Sequence, residues 1–232
     1  YGKDFKDDYK LIDLLEEINK IEKIKIIRLG SIEPLLIDEE FVERLSKLDK
    51  ICHQFHLSLQ SGCDETLKRM NRRYDTKIFR NAVNLLREKY TDCILTADVI
   101  VGFPKETDEE FEKTYEFLKE IAFYKMHVFK YSQRKGTKAA IMDNQIDGTI
   151  KEKRSKILIN LSNGNQLKYN KSYIGKTVEV LFEEKDHDGF YRGHTNNYIL
   201  VKTKSEENLD NKIVNVKIEE ADVEDVIGKV VV

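Results

Sequence analysis

The stretch "FHLSLQSGCDETLKRMNRRY", Phe55 to Tyr74, decides the fold. In its first six residues Phe55, Leu57 and Leu59 fall on one side of an extended chain, and His56, Ser58 and Gln60 on the other. Ser61-Gly62 then breaks the strand. Asp64 offers a helix cap, and the helix behind it carries Lys68, Arg69, Arg72 and Arg73.

The same order of strand, turn and helix recurs on both sides. Leu11, Leu14, Leu15, Ile18 and Ile21 lie at helical spacing and predict a helix over Tyr9–Ile24. "IKIIR" (Ile24 to Arg28) reads as a short strand closed by "LGSIEP", and "IDEEFVERLSKL" as a helix with Asp38 at its N-cap. "CILTADVIVGF" is the most continuous apolar run, which suits a parallel strand covered on both faces. "TDEEFEKTYEFLKEIAF" opens on a capping box, Thr107 with Glu110, and "KMHVFKYS" reads as a fourth strand. Alternation of this kind implies right-handed βαβ units. The expected fold is therefore α/β, a partial TIM-like (β/α) barrel of parallel strands over residues 1–148. A polar helical connector over 149–172 follows. From 173 to 232, short alternating runs separated by "KDHDG", "TNN" and "ENLDN" predict a small antiparallel β-barrel.

Composition narrows the function classes. The chain has 232 residues, a net charge of −2 and three cysteines. No apolar run approaches the roughly 20 residues that cross a bilayer, and "YGKDFKDDYK" has no signal-peptide pattern, so the expectation is a cytoplasmic protein with no membrane partner. The charge argues against wholesale binding of polyanions and confines any nucleic-acid contact to local patches. Cys52, Cys63 and Cys93 are too far apart in sequence for a short metal-binding loop, and each reads as a buried thiol rather than a ligand or nucleophile.

In parallel α/β folds ligands bind at the carboxyl ends of strands. Here those ends read Arg28-Leu29-Gly30-Ser31, Ser58 to Gly62, Gly102-Phe103-Pro104 and Lys130-Tyr131-Ser132. The row His56, Ser58, Gln60, with Thr96 and Asp98 on the next strand, is either a hydrogen-bonded interior network or part of a ligand site. Basic residues gather at Lys125 to Lys138 with no acid among them, and "FYRGHT" adds Tyr191, Arg192 and His194. These patches read as a solvated face or as a phosphate-backbone surface.

"IRLGSIEP", "FHLSLQSGCDETLKRMNRRY", "TADVIVGFPKETDEEFEKT" and "HVFKYSQRKGTKAA" resemble the radical S-adenosylmethionine methylthiotransferases, most closely the MtaB branch that acts on tRNA. The resemblance implies that residues from about Tyr173 form a TRAM domain, a small RNA-binding barrel. It implies S-adenosylmethionine and two 4Fe-4S clusters in the intact protein, tRNA as partner, and an electron donor. The product expected is the 2-methylthio derivative of N6-threonylcarbamoyladenosine at tRNA position 37. Positions matching the family's cofactor rim are Arg28, Ser31, Ser58, Gln60, Asp98, Gly102, Phe103 and Pro104, with the Phe103 backbone against adenine. The RNA candidates come from the basic and aromatic patches themselves: Lys130, Arg134, Lys135, Tyr191 and Arg192. Neither family set of cluster-binding cysteines is present, so the chain reads as a carboxy-terminal piece, inactive alone, with no cluster bound. Such a piece would hold the last four barrel strands, expose apolar interior surface, and pair with another chain through its open edge. The alternatives are a non-catalytic tRNA-binding module and the MiaB or RimO branch with another substrate.

Overall fold

A computed structural model describes residues 9–231, so the opening "YGKDF" lies outside the described residues. Helix α1, Leu11–Asn19, is shorter than apolar spacing predicts. The Lys50 ammonium caps its end by hydrogen-bonding the Asn19 carbonyl of the last turn and the Ile21 carbonyl just beyond it. Strand β1 is Ser31–Ile32, later than the Ile24–Arg28 run assigned from sequence. An isolated parallel bridge joins Ile27 to Ile51, and the register slips by one residue before Ser31 meets His56. Arg28 falls in that slip, off the ladder.

A 3-10 turn at Pro34–Leu36 leads to α2 (Glu39–Leu45), then β2 (Gln54–Gln60), α3 (Asp64–Arg69), α4 (Thr76–Lys89), β3 (Ile94–Val101), α5 (Asp108–Ile121) and β4 (Lys125–Lys130). Asp38 accepts the Phe41 amide, and Thr107 and Glu110 form the reciprocal capping box. Asp64 does not cap α3. Its carboxylate accepts the Thr76 amide and so ties α3 to the start of α4.

The four strands pair in parallel in the order β1-β2-β3-β4. Phe55, Leu57, Leu59, Ala97, Val99, Val101 and Met126 are buried in the core, packed with helical residues such as Phe79, Leu86 and Leu118. The other face is open, and it is polar where an apolar interior was expected: His56, Thr96, Asp98, Lys125 and His127 lie on it. Among the described residues Phe129 is the one exposed large apolar side chain on these strands.

Helix α6, Gly148–Lys171, runs unbroken through Gly164 along the outer edge of β4. Its buried positions are largely polar, and they hydrogen-bond what a sheet edge leaves free. Ser162 accepts the Met126 amide at 2.9 Å, and Asn165 donates to the Phe123 carbonyl at 3.1 Å. Asn170 continues the pattern with the carbonyls of Asp222 and Val223.

Strands β5 (Thr177–Lys185), β6 (Tyr191–Thr195), β7 (Leu200–Thr203), β8 (Ile213–Ala221) and β9 (Val226–Val230) close into a barrel in the order β5-β6-β7-β9-β8. All pairings are antiparallel except β7 with β9, which is parallel, a correction to the wholly antiparallel barrel read from sequence. Two glycines make closure possible. A Cβ on Gly193 or Gly228 would lie 2.3 Å from the Leu181 carbonyl oxygen or 2.4 Å from that of Lys217, and each position adjoins a register shift that bends its strand pair. Among the described residues no helix is long and apolar enough to cross a membrane.

Candidate functional site

The carboxyl end of β2 is not a regular strand. The register shifts between Leu57 and Gln60, and Gln60 adopts a left-handed backbone with φ 70°. The simple alternation that grouped Gln60 with His56 and Ser58 breaks at this bulge. The Tyr74 hydroxyl donates to the Ser58 and Leu59 carbonyls and holds the bulge in place. No hydrogen bond engages the Ser58 hydroxyl or the Gln60 amide among the described residues, so both are available to a ligand.

Beside them is the turn after β3. Gly102 has φ 71°, which an L side chain rarely adopts. The space beside it is filled by Lys151 rather than left for a ligand, since a Cβ there would lie 2.3 Å from Lys151 Cγ. Glu106 Oε1 accepts the Gly102 amide at 2.9 Å, and Arg154 Nη1 donates to the same oxygen at 2.6 Å. Both side chains are almost wholly buried, 3% and 5% exposed. Burial pushes the Glu106 carboxyl up, more than the Gly102 amide and Arg154 pull it down. Phe103 stands edge-on to Tyr131 at 5.2 Å, and Lys151 donates to the Tyr131 carbonyl. Thus α6 grips the turn through Lys151 and Arg154. Sequence reasoning named Gly102, Phe103 and Pro104 but not the Glu106–Arg154 pair that fixes them.

On the open face a single chain of hydrogen bonds runs head to tail. Arg28 Nε donates to Gln54 Oε1 at 2.9 Å, and Gln54 Nε2 donates to Thr96 Oγ1 at 2.9 Å. His56 Nδ1 lies 2.9 Å from Thr96 Oγ1, and His56 Nε2 3.2 Å from Asp98 Oδ2. Because Thr96 already accepts from Gln54, its hydroxyl hydrogen is free to go to Nδ1. The imidazole proton is then on Nε2, shared with Asp98. Every donor points from the cation toward the carboxylate, an arrangement in which each bond polarises the next. Asp98 is therefore engaged, and the interior-network reading applies to His56, Thr96 and Asp98.

The rim expected from sequence divides accordingly. Ser58, Gln60, Gly102, Phe103 and Pro104 gather at the carboxyl end of the sheet. Ser31 pairs in register with His56, farther down. Arg28 sits at the opposite end, because the late start of β1 leaves it level with Gln54, where β2 begins. Its guanidinium lies 3.8 Å from the centre of the Tyr198 ring, in the β6–β7 turn of the closed barrel. Tyr198 is itself left-handed, φ 69°, and stacks on His194 at 4.1 Å. In the same turn the Asn196 carbonyl accepts the His53 amide, and Asn197 donates to the Asp92 carbonyl. The closed barrel is thus docked on the amino ends of β2 and β3.

Of the basic and aromatic candidates, Arg134 and Lys135 are exposed on the loop after β4. Lys130 is paired with Glu152 of α6 at 2.7 Å. Tyr191 turns toward the core of the closed barrel, 6% exposed, edge-on to Phe182 and with the Lys185 ammonium over its ring, so it is not the open aromatic face expected from sequence. Alternation on β6 turns its neighbour Arg192 outward, where Asp186 binds it. Phe190, half-buried with Lys204 over its ring, is an aromatic face that sequence reasoning passed over.

The cysteines do not fit an iron–sulfur cluster. Cys52 and Cys93 precede β2 and β3, whereas Cys63 follows β2 at the other end of the sheet. Burial raises all three thiols above their usual range, Cys93 to about 11, opposite to what a thiolate ligand needs. Among the described residues no group of three or more ligating side chains is placed to hold a metal ion.

Comparison with known proteins agrees with both halves of this architecture. Residues 1–118 match the model of the radical SAM superfamily, and residues 171–231 that of the TRAM domain. The chain is 41% identical over 223 residues to threonylcarbamoyladenosine tRNA methylthiotransferase MtaB of Bacillus subtilis, covering 94% of this chain and 49% of the relative. It is 37% identical over 233 residues to tRNA-2-methylthio-N(6)-dimethylallyladenosine synthase of Alkaliphilus oremlandii, covering 100% of this chain and 50% of the relative. The chain spans about half the length of the curated relatives it matches. Among solved structures, coproporphyrinogen III oxidase (HemN) of Escherichia coli superposes with a TM-score of 0.51 at 22% identity, over 60% of this chain and 32% of that one, a likeness of fold alone. A parallel sheet with its polar face open, joined to a closed five-stranded barrel and matched over both stretches, places the chain in the radical SAM superfamily, with a TRAM domain at its carboxyl side.

Proposed function

We propose that this chain belongs to a tRNA methylthiotransferase that adds a 2-methylthio group to N6-threonylcarbamoyladenosine at position 37. The observation that carries the proposal is the joint match of a radical SAM sheet and a TRAM domain within one alignment at 41% identity to a protein named for that activity. S-adenosylmethionine, when bound, supplies a radical for hydrogen removal and a methyl group. In this chain the unengaged Ser58 hydroxyl and Gln60 amide would hold its polar groups, and the turn at Gly102, Phe103 and Pro104 would lie against its adenine. That turn is kept in place by Glu106 and Arg154. The described residues offer no cluster ligands, and no cluster step is assigned to them. Exposed Arg134 and Lys135, with Arg192 on the TRAM barrel, would contact tRNA phosphates.

The test is genetic and chemical. The whole gene is expressed in a bacterium lacking its own methylthiotransferases, and tRNA nucleosides are resolved by mass spectrometry. Accumulation of 2-methylthio-N6-threonylcarbamoyladenosine supports the proposal. Methylthiolation of dimethylallyladenosine instead would assign the second substrate, the one named for the Alkaliphilus relative. Absence of any methylthio nucleoside, with the protein present and binding tRNA, would leave the binding-module reading standing.

A further inference from the structure

A cavity of about 290 Å³ lies where the open face of the parallel sheet meets the TRAM barrel. It is at the amino end of the strands, away from the Gly102 turn. Arg28 stands on one wall and Lys125 of β4 on the other, with His56 and His127 between them; the His194 and Tyr198 rings come from the TRAM side. The charges there are unbalanced. Arg28 donates its Nε to Gln54 and lies over the Tyr198 ring, but among the described residues neither its terminal amino groups nor the Lys125 ammonium has a hydrogen-bond or carboxylate partner. Asp98 is taken by His56, which leaves exposed Glu224 as the one carboxylate lining the cavity. His127 is held below its usual pKa by burial first and then by the charge of its neighbours, Lys125 among them, while Asp98 opposes them.

We propose that this cavity is an anion site for a phosphate group, carried either by a free nucleotide or by an RNA chain. A point-charge ammonium on one wall, a planar guanidinium on the other and the His127 imidazole, the one imidazole there without a hydrogen-bond partner among the described residues, approach from several directions, whereas His56 is committed to Thr96 and Asp98 and His194 to Glu183. A phosphate, with acceptor oxygens all round, satisfies that arrangement; a planar carboxylate would be saturated by Arg28 alone. The cavity also has room beyond the phosphate, where Tyr124 lines it; the Tyr198 ring is already covered by Arg28 and stacked on His194. The site is independent of the proposed methylthiotransferase activity, because it lies at the opposite end of the sheet from the cofactor turn.

The test uses the chain as it stands. Inorganic phosphate, adenosine monophosphate and a short single-stranded RNA are titrated separately at constant ionic strength, with the imidazole resonances of His127 and His194 as reporters. Saturable shifts are expected at both rings. Lys125→Gln, which removes a charge without touching the domain contacts, should weaken binding about tenfold, the size of one lost charge-assisted hydrogen bond. Lys119→Gln, at an exposed lysine on the outer face of α5, should leave it unchanged. Tighter binding of adenosine monophosphate than of phosphate identifies a free nucleotide as the source; tighter binding of RNA identifies a chain phosphate. Shifts that never saturate, or that weaken equally in both lysine variants, overturn the site.

Discussion

The parallel sheet and the closed barrel use the same alternation of residues for opposite purposes. In the barrel, Val180, Phe182, Val201, Val216, Ile218 and Val226 turn inward to a dry core, and closure leaves no strand edge to satisfy. In the sheet the apolar residues turn outward to the helices, and the alternate polar ones form the chain from Arg28 to Asp98. Two of its members, Gln54 and Thr96, are buried. A polar residue at an alternate position is thus not automatically a solvent position. In a sheet covered on one side it becomes the lining of a site. The edges differ as well: the barrel needs no edge partner, whereas β4 relies on the polar stripe of α6.

The comparison can be broken first at the dry core. Phe182→Ala removes a fully buried ring and should cost about 4 kcal/mol. Urea unfolding followed by amide exchange should show the barrel strands losing protection while β2 and β3 keep theirs. Simultaneous loss would mean that the docked turn at Thr195–Tyr198 makes the two a single cooperative unit. Next comes Arg154→Met, which leaves the Glu106 carboxylate buried without its cation at a cost of about 3 kcal/mol. Adding Glu106→Gln should recover most of that loss, a coupling that a double-mutant cycle measures directly. The sign with pH is fixed by the raised Glu106 carboxyl. The folded state holds this proton more tightly than the unfolded chain, so the group favours folding at low pH. That contribution fades as pH rises above the ordinary value of 4.5 and through the higher folded one. Wild type should lose stability relative to Glu106→Gln over that rise.

What was legible in the sequence follows from what carries a periodic signal. The apolar runs of β2, β3 and β4 and the alternating runs of the barrel repeat with the period of a strand, and they form strands within a few residues of where the pattern puts them; the capping box at Thr107 has its own fixed spacing and is present. Strand β1 escaped because it has two residues and a register slip, with too little length for a period. The packing of α6 escaped for another reason: its buried positions include Arg154, Ser162, Gln166 and Asn170, which carry no apolar stripe to read. The bulge at Gln60 is a backbone event with no compositional mark. The neighbours of Tyr191 in "FYRGHT" suggest a surface aromatic, whereas alternation on β6 turns it inward. Arg28 reached the wrong end of the site through the misplacement of β1.

A finer test addresses the polar chain. Thr96→Val keeps the shape but strands Gln54 Nε2 and His56 Nδ1, so about 2 kcal/mol should be lost. The Nδ1 chemical shift of His56 should also move, since that nitrogen loses the Thr96 hydroxyl hydrogen while Asp98 keeps the proton on Nε2. An unchanged imidazole spectrum would dissolve the head-to-tail order.

The smallest effect separates structure from site most cleanly. Gln60 holds a left-handed backbone at φ 70°, and no side-chain hydrogen bond among the described residues compensates for it. Glycine adopts that conformation freely, but it also loosens the unfolded chain; the net for Gln60→Gly should be a gain of up to about 1 kcal/mol. A residue whose removal stabilises the fold is retained for another reason. If that reason is the amide facing a cofactor, Gln60→Gly should melt higher and bind S-adenosylmethionine more weakly. Gln60→Asn, which tolerates the left-handed region and keeps the amide, should recover part of the binding. Destabilisation by glycine would show instead that Gln60 is packed into the bulge, making the carboxyl end of β2 a structural device like the glycine-dependent bends of the barrel.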